Sequence, residues 1–282
     1  MKLLCVATAW LLMLSLPGAT MRAEEAAARP RLGTSVFQWR DLAAKPTGVG
    51  ARRDVADQPT ATLERFECHI STLLPGRISH LPHRHPQEEF ILLKEGELDV
   101  SINGRVRRVG PGALFFFASN DLHNVTSVGE IPAVYYVFNL TTAATRLAPA
   151  QAAAESAAPD RLRSGIYEWA SLAARPSDLG ERRDIFDSPT VTCVRLAAHA
   201  TTLHPGAVAP RGHRHPQEAI VVVKEGQVEA TLNGVVRRAG VGSILFLAPN
   251  DEHSLSNPGP VPATYYVFEV TTAATPAPAR SS

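Results

Sequence analysis

His83-Arg84-His85-Pro86-Gln87-Glu88-Glu89, with His123 further along, is the stretch on which the fold turns. Alternate side chains of an extended strand share a face, so His83, His85 and Glu89, all of one parity, can converge on one point inside a barrel. His123 can reach that point from a neighbouring strand. Three neutral imidazoles and a carboxylate suit a divalent transition metal (Mn, Fe, Co, Ni, Cu or Zn) and match calcium or magnesium poorly. Four protein ligands leave positions open on an ion that prefers five or six, and open positions allow chemistry. A lone His-x-His in a strand is more often a surface or core feature; the spaced glutamate and the distant histidine set this one apart.

Around this stretch the chain reads almost entirely as strand. Residues 90–93 are a short apolar run closed by a turn at Gly96. Residues 98–102 and 105–109 flank Asn103-Gly104, the two-residue loop most diagnostic of a type I′ hairpin. Gly110-Pro111-Gly112 turns the chain into 113–117, and 135–140 is a further β-rich segment. Short strands with close, regular turns predict an all-β sandwich or barrel.

The pattern occurs twice. Residues 36–145 align with 166–275 without a gap, and roughly half the positions are identical, far beyond chance. Trp39 falls on Trp169, Asn103-Gly104 on Asn233-Gly234, and Tyr135-Tyr136-Val137-Phe138 on Tyr265-Tyr266-Val267-Phe268. The expected organisation is two units, 36–145 and 166–275, joined by an alanine- and proline-rich linker at 146–165. The second unit keeps His213, His215 and His253, but Ala219 stands where the first has Glu89. Glu218 has the opposite parity and points away from those histidines on a regular strand. A second site is therefore expected to be weaker, three-histidine or empty.

The spacing of His83, His85, Glu89 and Gly96, followed by Gly112 to His123, resembles the two motifs of the cupin family. The resemblance covers both repeats and implies tandem cupin barrels, each a double-stranded β-helix or jelly roll, with metal held by His83, His85, Glu89 and His123. Gly76 lies one residue further from the first histidine than the family pattern has it, and Ala118 and Asn120 replace its customary proline and glycine. More distantly the chain resembles oxalate decarboxylases and quercetin dioxygenases. This implies a metal-dependent oxidoreductase, of dioxygenase or decarboxylase type, acting on a small organic molecule. The alternative is a non-catalytic small-molecule-binding or structural bicupin, since one fold hosts both.

Other matched residues read as structural. His69 and His199 share a strand face with Arg65 and Arg195, the pattern of a polar outer face or domain contact. Arg52-Arg53-Asp54 and Arg182-Arg183-Asp184 read as ion pairs before substrate clamps. Phe115, Phe116 and Phe117 are core, with one parity facing any cavity. No Ser/His/Asp or Cys/His nucleophile and no phosphate loop stand out, so any catalysis is metal-centred and no further catalytic residue can be assigned. The duplication predicts barrels packed face to face and leaves a homo-oligomer open.

Hydrophobic residues make up 45% of the chain and charged residues 20%, near the averages for globular domains, which argues against a multi-span membrane protein. The net charge of +1 comes with no basic block, so nucleic acid is not an expected partner. Residues 1–23 read as a secretory signal: Lys2, an apolar run from Leu3 to Leu16, a break at Pro17-Gly18 and Ala23 before the cut. The expected location is periplasmic or extracellular, with no span left after cleavage. Cys68 and Cys193 occupy non-equivalent places in the repeats and read as buried small hydrophobes before a disulfide.

Overall fold

The computed structural model describes residues 30–148, 160–208 and 211–279. The signal-peptide reading at 1–23 and linker residues 149–159 lie outside the described residues. The first repeat forms β1 (Ser35–Phe37), β2 (Lys45–Thr47), β3 (Gly50–Gln58), β4 (Arg65–Leu73), β5 (Glu88–Glu95), β6 (Leu98–Ile102), β7 (Arg105–Val109), β8 (Leu114–Phe117), β9 (His123–Ser127) and β10 (Ala133–Thr141). The second forms β11 (Gly165–Tyr167), β12 (Arg175–Ser177), β13 (Gly180–Ser188), β14 (Arg195–Leu203), β15 (Glu218–Glu225), β16 (Gln227–Leu232), β17 (Val235–Gly240), β18 (Ile244–Leu247), β19 (His253–Ser256) and β20 (Ala263–Thr271). No described helix is long and apolar enough to cross a membrane.

Each barrel is a seven-stranded sheet facing a three-stranded one. The sheets run β11-β8-β5-β10-β4-β3-β2 and β7-β6-β9 in the first barrel, and β1-β18-β15-β20-β14-β13-β12 and β17-β16-β19 in the second. The first strand of each repeat thus belongs to the other repeat's barrel: β1 pairs with β18 and β11 with β8, both antiparallel. The residue just before each exchanged strand is pinned as well. Thr34 Oγ1 donates to Asp251 and accepts from the Ala248 amide, and Ser164 Oγ does the same with Asp121 and Ala118.

The predicted hairpin is present, with Asn103 at φ 49° and Gly104 at 81°, both in the left-handed region a type I′ turn requires. At Gly242 the constraint is space. A Cβ there would lie 2.7 Å from the Trp39 ring, which packs across the exchange and sits between the Arg53 and Lys94 cations, each 4.8 Å from the ring centre.

The large sheets are buried on both faces, which is why residues 90–93 are a continuous apolar run. Ile91 and Leu93 point into the first barrel with Phe115 and Val125. Phe90 and Leu92 point out of it into a core shared by both barrels, where Phe90 meets Phe138 at 4.6 Å and Phe268 at 4.5 Å between ring centres. The barrels therefore pack large sheet against large sheet, as the duplication predicts. Cys68 and Cys193 lie buried and unbridged.

Two carboxylates are sealed into this junction. Glu88 accepts from Thr190 Oγ1 (2.6 Å), Thr192 Oγ1 (2.8 Å) and the Thr192 amide (3.1 Å) of the other repeat. Glu218 accepts reciprocally from Thr60 Oγ1 and the Thr62 amide. Burial raises the pKa of both above the usual carboxylate value, against those hydrogen bonds. Glu218 does point away from the histidines, as its parity predicts.

Candidate metal centre

His83 and His85 are not on the regular strand that the sequence reading assumed. β5 begins only at Glu88, and the histidines arrive on the segment before it. Their placement comes from backbone bonding across sheets: His83 and His123 exchange amide-to-carbonyl hydrogen bonds at 3.2 and 3.1 Å. The Asn120 amide donates to the His85 carbonyl at 2.8 Å. The ligand nitrogens of His83, His85 and His123 consequently lie within 4.8 Å of one another. Glu89 comes in from β5, its oxygens 3.6 Å from His85 Nε2 and 3.8 Å from His123 Nε2.

The imidazoles are set for ligation. Nδ1–H of His85 donates to the Gln87 carbonyl (2.9 Å) and Nδ1–H of His123 to that of Asp121 (2.8 Å), which leaves each Nε2 with its lone pair. Phe117 stacks on His123 at 4.2 Å and 13°. Burial pushes the His123 pKa down to about 4 and lowers that of His83, where His80 and His85 add repulsion. Burial works the same way on His85, but Glu89 overrides it and holds that pKa above the ordinary value. His123 Nε2 is buried without a hydrogen-bond partner, an expensive state that a bound cation would relieve. The donor set and this orphaned atom fit a divalent transition metal.

The cluster opens into a cavity of about 570 Å³. Its wall corrects the sequence reading of His69: β4 turns Phe66, Cys68 and Ile70 toward the other barrel and Arg65, Glu67 and His69 inward. Glu67 Oε1 accepts from His69 Nδ1–H and from Arg52, both at 2.7 Å, while Oε2 accepts from Asn139 at 2.9 Å. Burial opposes the charge on Glu67, yet these donors bring its pKa below the ordinary value. Arg52 also holds Asp54 at 2.7 Å, so the ion-pair reading of that arginine stands. His80, whose ring lies 4.0 Å from that of His83, also lines the cavity and was not singled out from sequence. Its counterpart is Pro210, so the repeat comparison gave no signal for it.

In the second barrel His213, His215 and His253 again bring ligand nitrogens within 4.8 Å. The His213–His253 backbone pair (2.9 and 3.0 Å) recurs, as do the Nδ1–H bonds of His215 to Gln217 and His253 to Asp251, each 2.9 Å. Burial lowers the pKa of His213 and brings that of His253 to about 4. Ala219 leaves β15 without a carboxylate facing them.

Two closed double-sheet barrels, each gathering three histidines at one end, define the class: a tandem barrel with candidate metal sites. The chain belongs to the cupin family, for the cupin domain (Cupin_2) matches residues 69–139 and again 199–269. No curated protein sequence matches it significantly. Among solved structures, an oxalate decarboxylase mutant from Bacillus subtilis aligns at TM-score 0.62 and 17% identity, covering 87% of this chain and 79% of that one. The Lactobacillus farciminis oxalate decarboxylase in complex with formate aligns at 0.64 and 14%, covering 87% and 88%. Protein Ylba from E. coli aligns at 0.67 and 11%, covering 88% and 94%. At these identities the likeness is one of fold.

Proposed function

We propose that the first barrel is a divalent transition-metal centre held by His83, His85, Glu89 and His123, and that the chain is a metal-dependent enzyme, of oxidoreductase or decarboxylase type, acting on a small organic molecule. The observation that carries this is one cavity with a four-ligand cluster at one end and the hydrogen-bonded pair Glu67–His69 on its wall. Mn, Fe, Ni, Cu and Zn all suit the donor set; a solved relative, the Bacillus subtilis oxalate decarboxylase, is described with Mn(II) centres. Bound there, the ion would polarise a substrate oxygen or exchange electrons with it.

The remaining work falls to side chains. Glu67, ionised and held by Arg52 and Asn139, fixes His69 Nδ1–H toward itself, so that Nε2 is the ring atom free to take or give a proton. In this reading His69 is the proton-transfer group, supported by its hydrogen bond to Glu67 on the cavity wall. Phe117 closes one side of His123 and keeps water from that face. The non-catalytic reading, a small-molecule-binding barrel, draws support from Ala219, since only one repeat keeps the full ligand set.

The test pairs metal analysis with turnover. Protein purified without chelator or affinity metal is expected to hold metal that His85→Ala/His123→Ala loses from the first barrel. It is also expected to turn over a member of a panel of phenols, dicarboxylates and sugars, with His69→Ala slowing turnover at unchanged metal content. Full metal loading with no turnover across the panel would overturn the enzymatic reading in favour of the binding one.

A further inference from the structure

The hydroxyls that precede the exchanged strands reach further than the strand edges. β8 runs directly into residues 118–121, a turn that touches the first histidine cluster through two backbone groups. The Asp121 carbonyl accepts from Nδ1–H of His123 at 2.8 Å, and the Asn120 amide donates to the His85 carbonyl at 2.8 Å. Ser164 Oγ, from the second repeat, grips this turn at both ends: it accepts from the Ala118 amide at 2.8 Å and donates to the Asp121 carboxylate. The first repeat itself supplies Asn103 Nδ2 to the other oxygen of that carboxylate, at 3.0 Å.

The second barrel has the same arrangement with the repeats' parts exchanged. Thr34 Oγ1, from the first repeat, accepts from the Ala248 amide at 2.9 Å and donates to the Asp251 carboxylate. The Asp251 carbonyl accepts from Nδ1–H of His253 at 2.9 Å, and the Asn250 amide donates to the His215 carbonyl at 2.8 Å. Asn120 at φ 63° and Asn250 at φ 60° bend the two turns alike through the left-handed region.

We infer that Ser164 is a positioning residue for His123 and His85, and Thr34 for His253 and His215, so that each histidine cluster is set by a hydroxyl from the other repeat. Ala118 and Asp121 are 7% and 5% exposed. Without the serine hydroxyl, a buried amide loses its acceptor and a buried carboxylate loses a donor, both expensive states. Moving the turn outward to water relieves them and withdraws the Asp121 carbonyl from His123. That carbonyl is what keeps the ring proton on Nδ1; once it leaves, the proton can pass to Nε2, the atom whose lone pair a metal would take. A hydroxyl is needed rather than one residue type, since threonine at 34 stands where serine stands at 164 in the aligned repeats. The cobalt arm of the test below rests on the metal-centre reading of His83, His85, Glu89 and His123; the ring orientation belongs to the metal-free chain and does not.

Nitrogen-15 NMR of the full, metal-free chain with labelled histidines reads each tautomer. The parent is expected to show both His123 and His253 protonated at Nδ1. Ser164→Ala is expected to lose that signature at His123 and keep it at His253, Thr34→Ala to do the reverse, and Ser164→Thr to keep both. Thr34→Ala reads the same device independently should Ser164→Ala not fold. In a chain whose second cluster is removed by His213→Ala and His215→Ala, Ser164→Ala is expected to weaken cobalt(II) binding by about tenfold and Ser164→Thr to restore it. Cobalt absent from the parent alongside the crossed tautomer pattern would overturn the metal reading and support the positioning. An unchanged His123 in folded Ser164→Ala, or loss of the signature at both histidines from either alanine variant, would overturn the inference.

Discussion

Thr192→Val probes the junction between the barrels through a single oxygen. Valine keeps the shape of threonine, and Thr192 is 5% exposed, so the change removes one donor from Glu88 and leaves the Thr190 hydroxyl and the Thr192 amide. A hydrogen bond to a charged group contributes about 1.5–3 kcal/mol, one between neutral groups about 0.5–1.5 kcal/mol. Which applies depends on pH. Burial raises the folded-state pKa of Glu88 above its unfolded value. As pH rises past the ordinary carboxylate value, the unfolded chain ionises first, and stability falls until pH passes the folded pKa of Glu88, above which the full loss persists. Thr192→Val raises that pKa further, so its cost is larger in alkali than in acid. Urea unfolding of parent, Thr192→Val, Glu88→Gln and the double variant, at about pH 4.5 and about pH 8, is expected to give the smaller figure in acid and the larger in alkali. The Thr192 effect should also shrink in the Glu88→Gln background. A loss under about 0.5 kcal/mol at both pH values, or one larger in acid, would refute the clasp.

Deleting residues 30–37 removes β1 from the first repeat, yet hydrogen exchange is expected to quicken at Ile244–Leu247 of the second barrel, where β1 pairs, and to leave β5 and β8 protected. Phe117→Ala opens the packed face of His123 and is expected to cost about 3–5 kcal/mol by thermal or denaturant unfolding, with faster exchange across β5, which pairs with β8 at Glu89 and Phe117.

Strand parity made much of this legible. From Glu89 onward the alternation along β5 is regular, so Glu89, Ile91 and Leu93 could be placed inside from sequence, and Glu218 outside the second cluster. The two left-handed residues at Asn103-Gly104 fixed a hairpin locally. His69 was misplaced because the usual rule, apolar face inward, fails for a sheet between a partner barrel and a polar cavity: Phe66, Cys68 and Ile70 meet the partner and His69 the cavity. His80 and the Glu67–His69 pair needed the cavity itself. The exchange of β1 and β11 is silent in the sequence. The barrels are near copies, so a three-residue strand has the same edge to pair with in either, and only chain geometry chooses.

That exchange separates the unit of repetition from the unit of folding. A cut between the repeats would yield two pieces, each holding nine strands of its own barrel and one strand of its neighbour's. Each piece would present an open edge beside β8 or β18 and a strand parted from the edge it pairs with in the whole chain. Neither repeat is a module to be lifted out and grafted elsewhere. The smallest complete object is the pair.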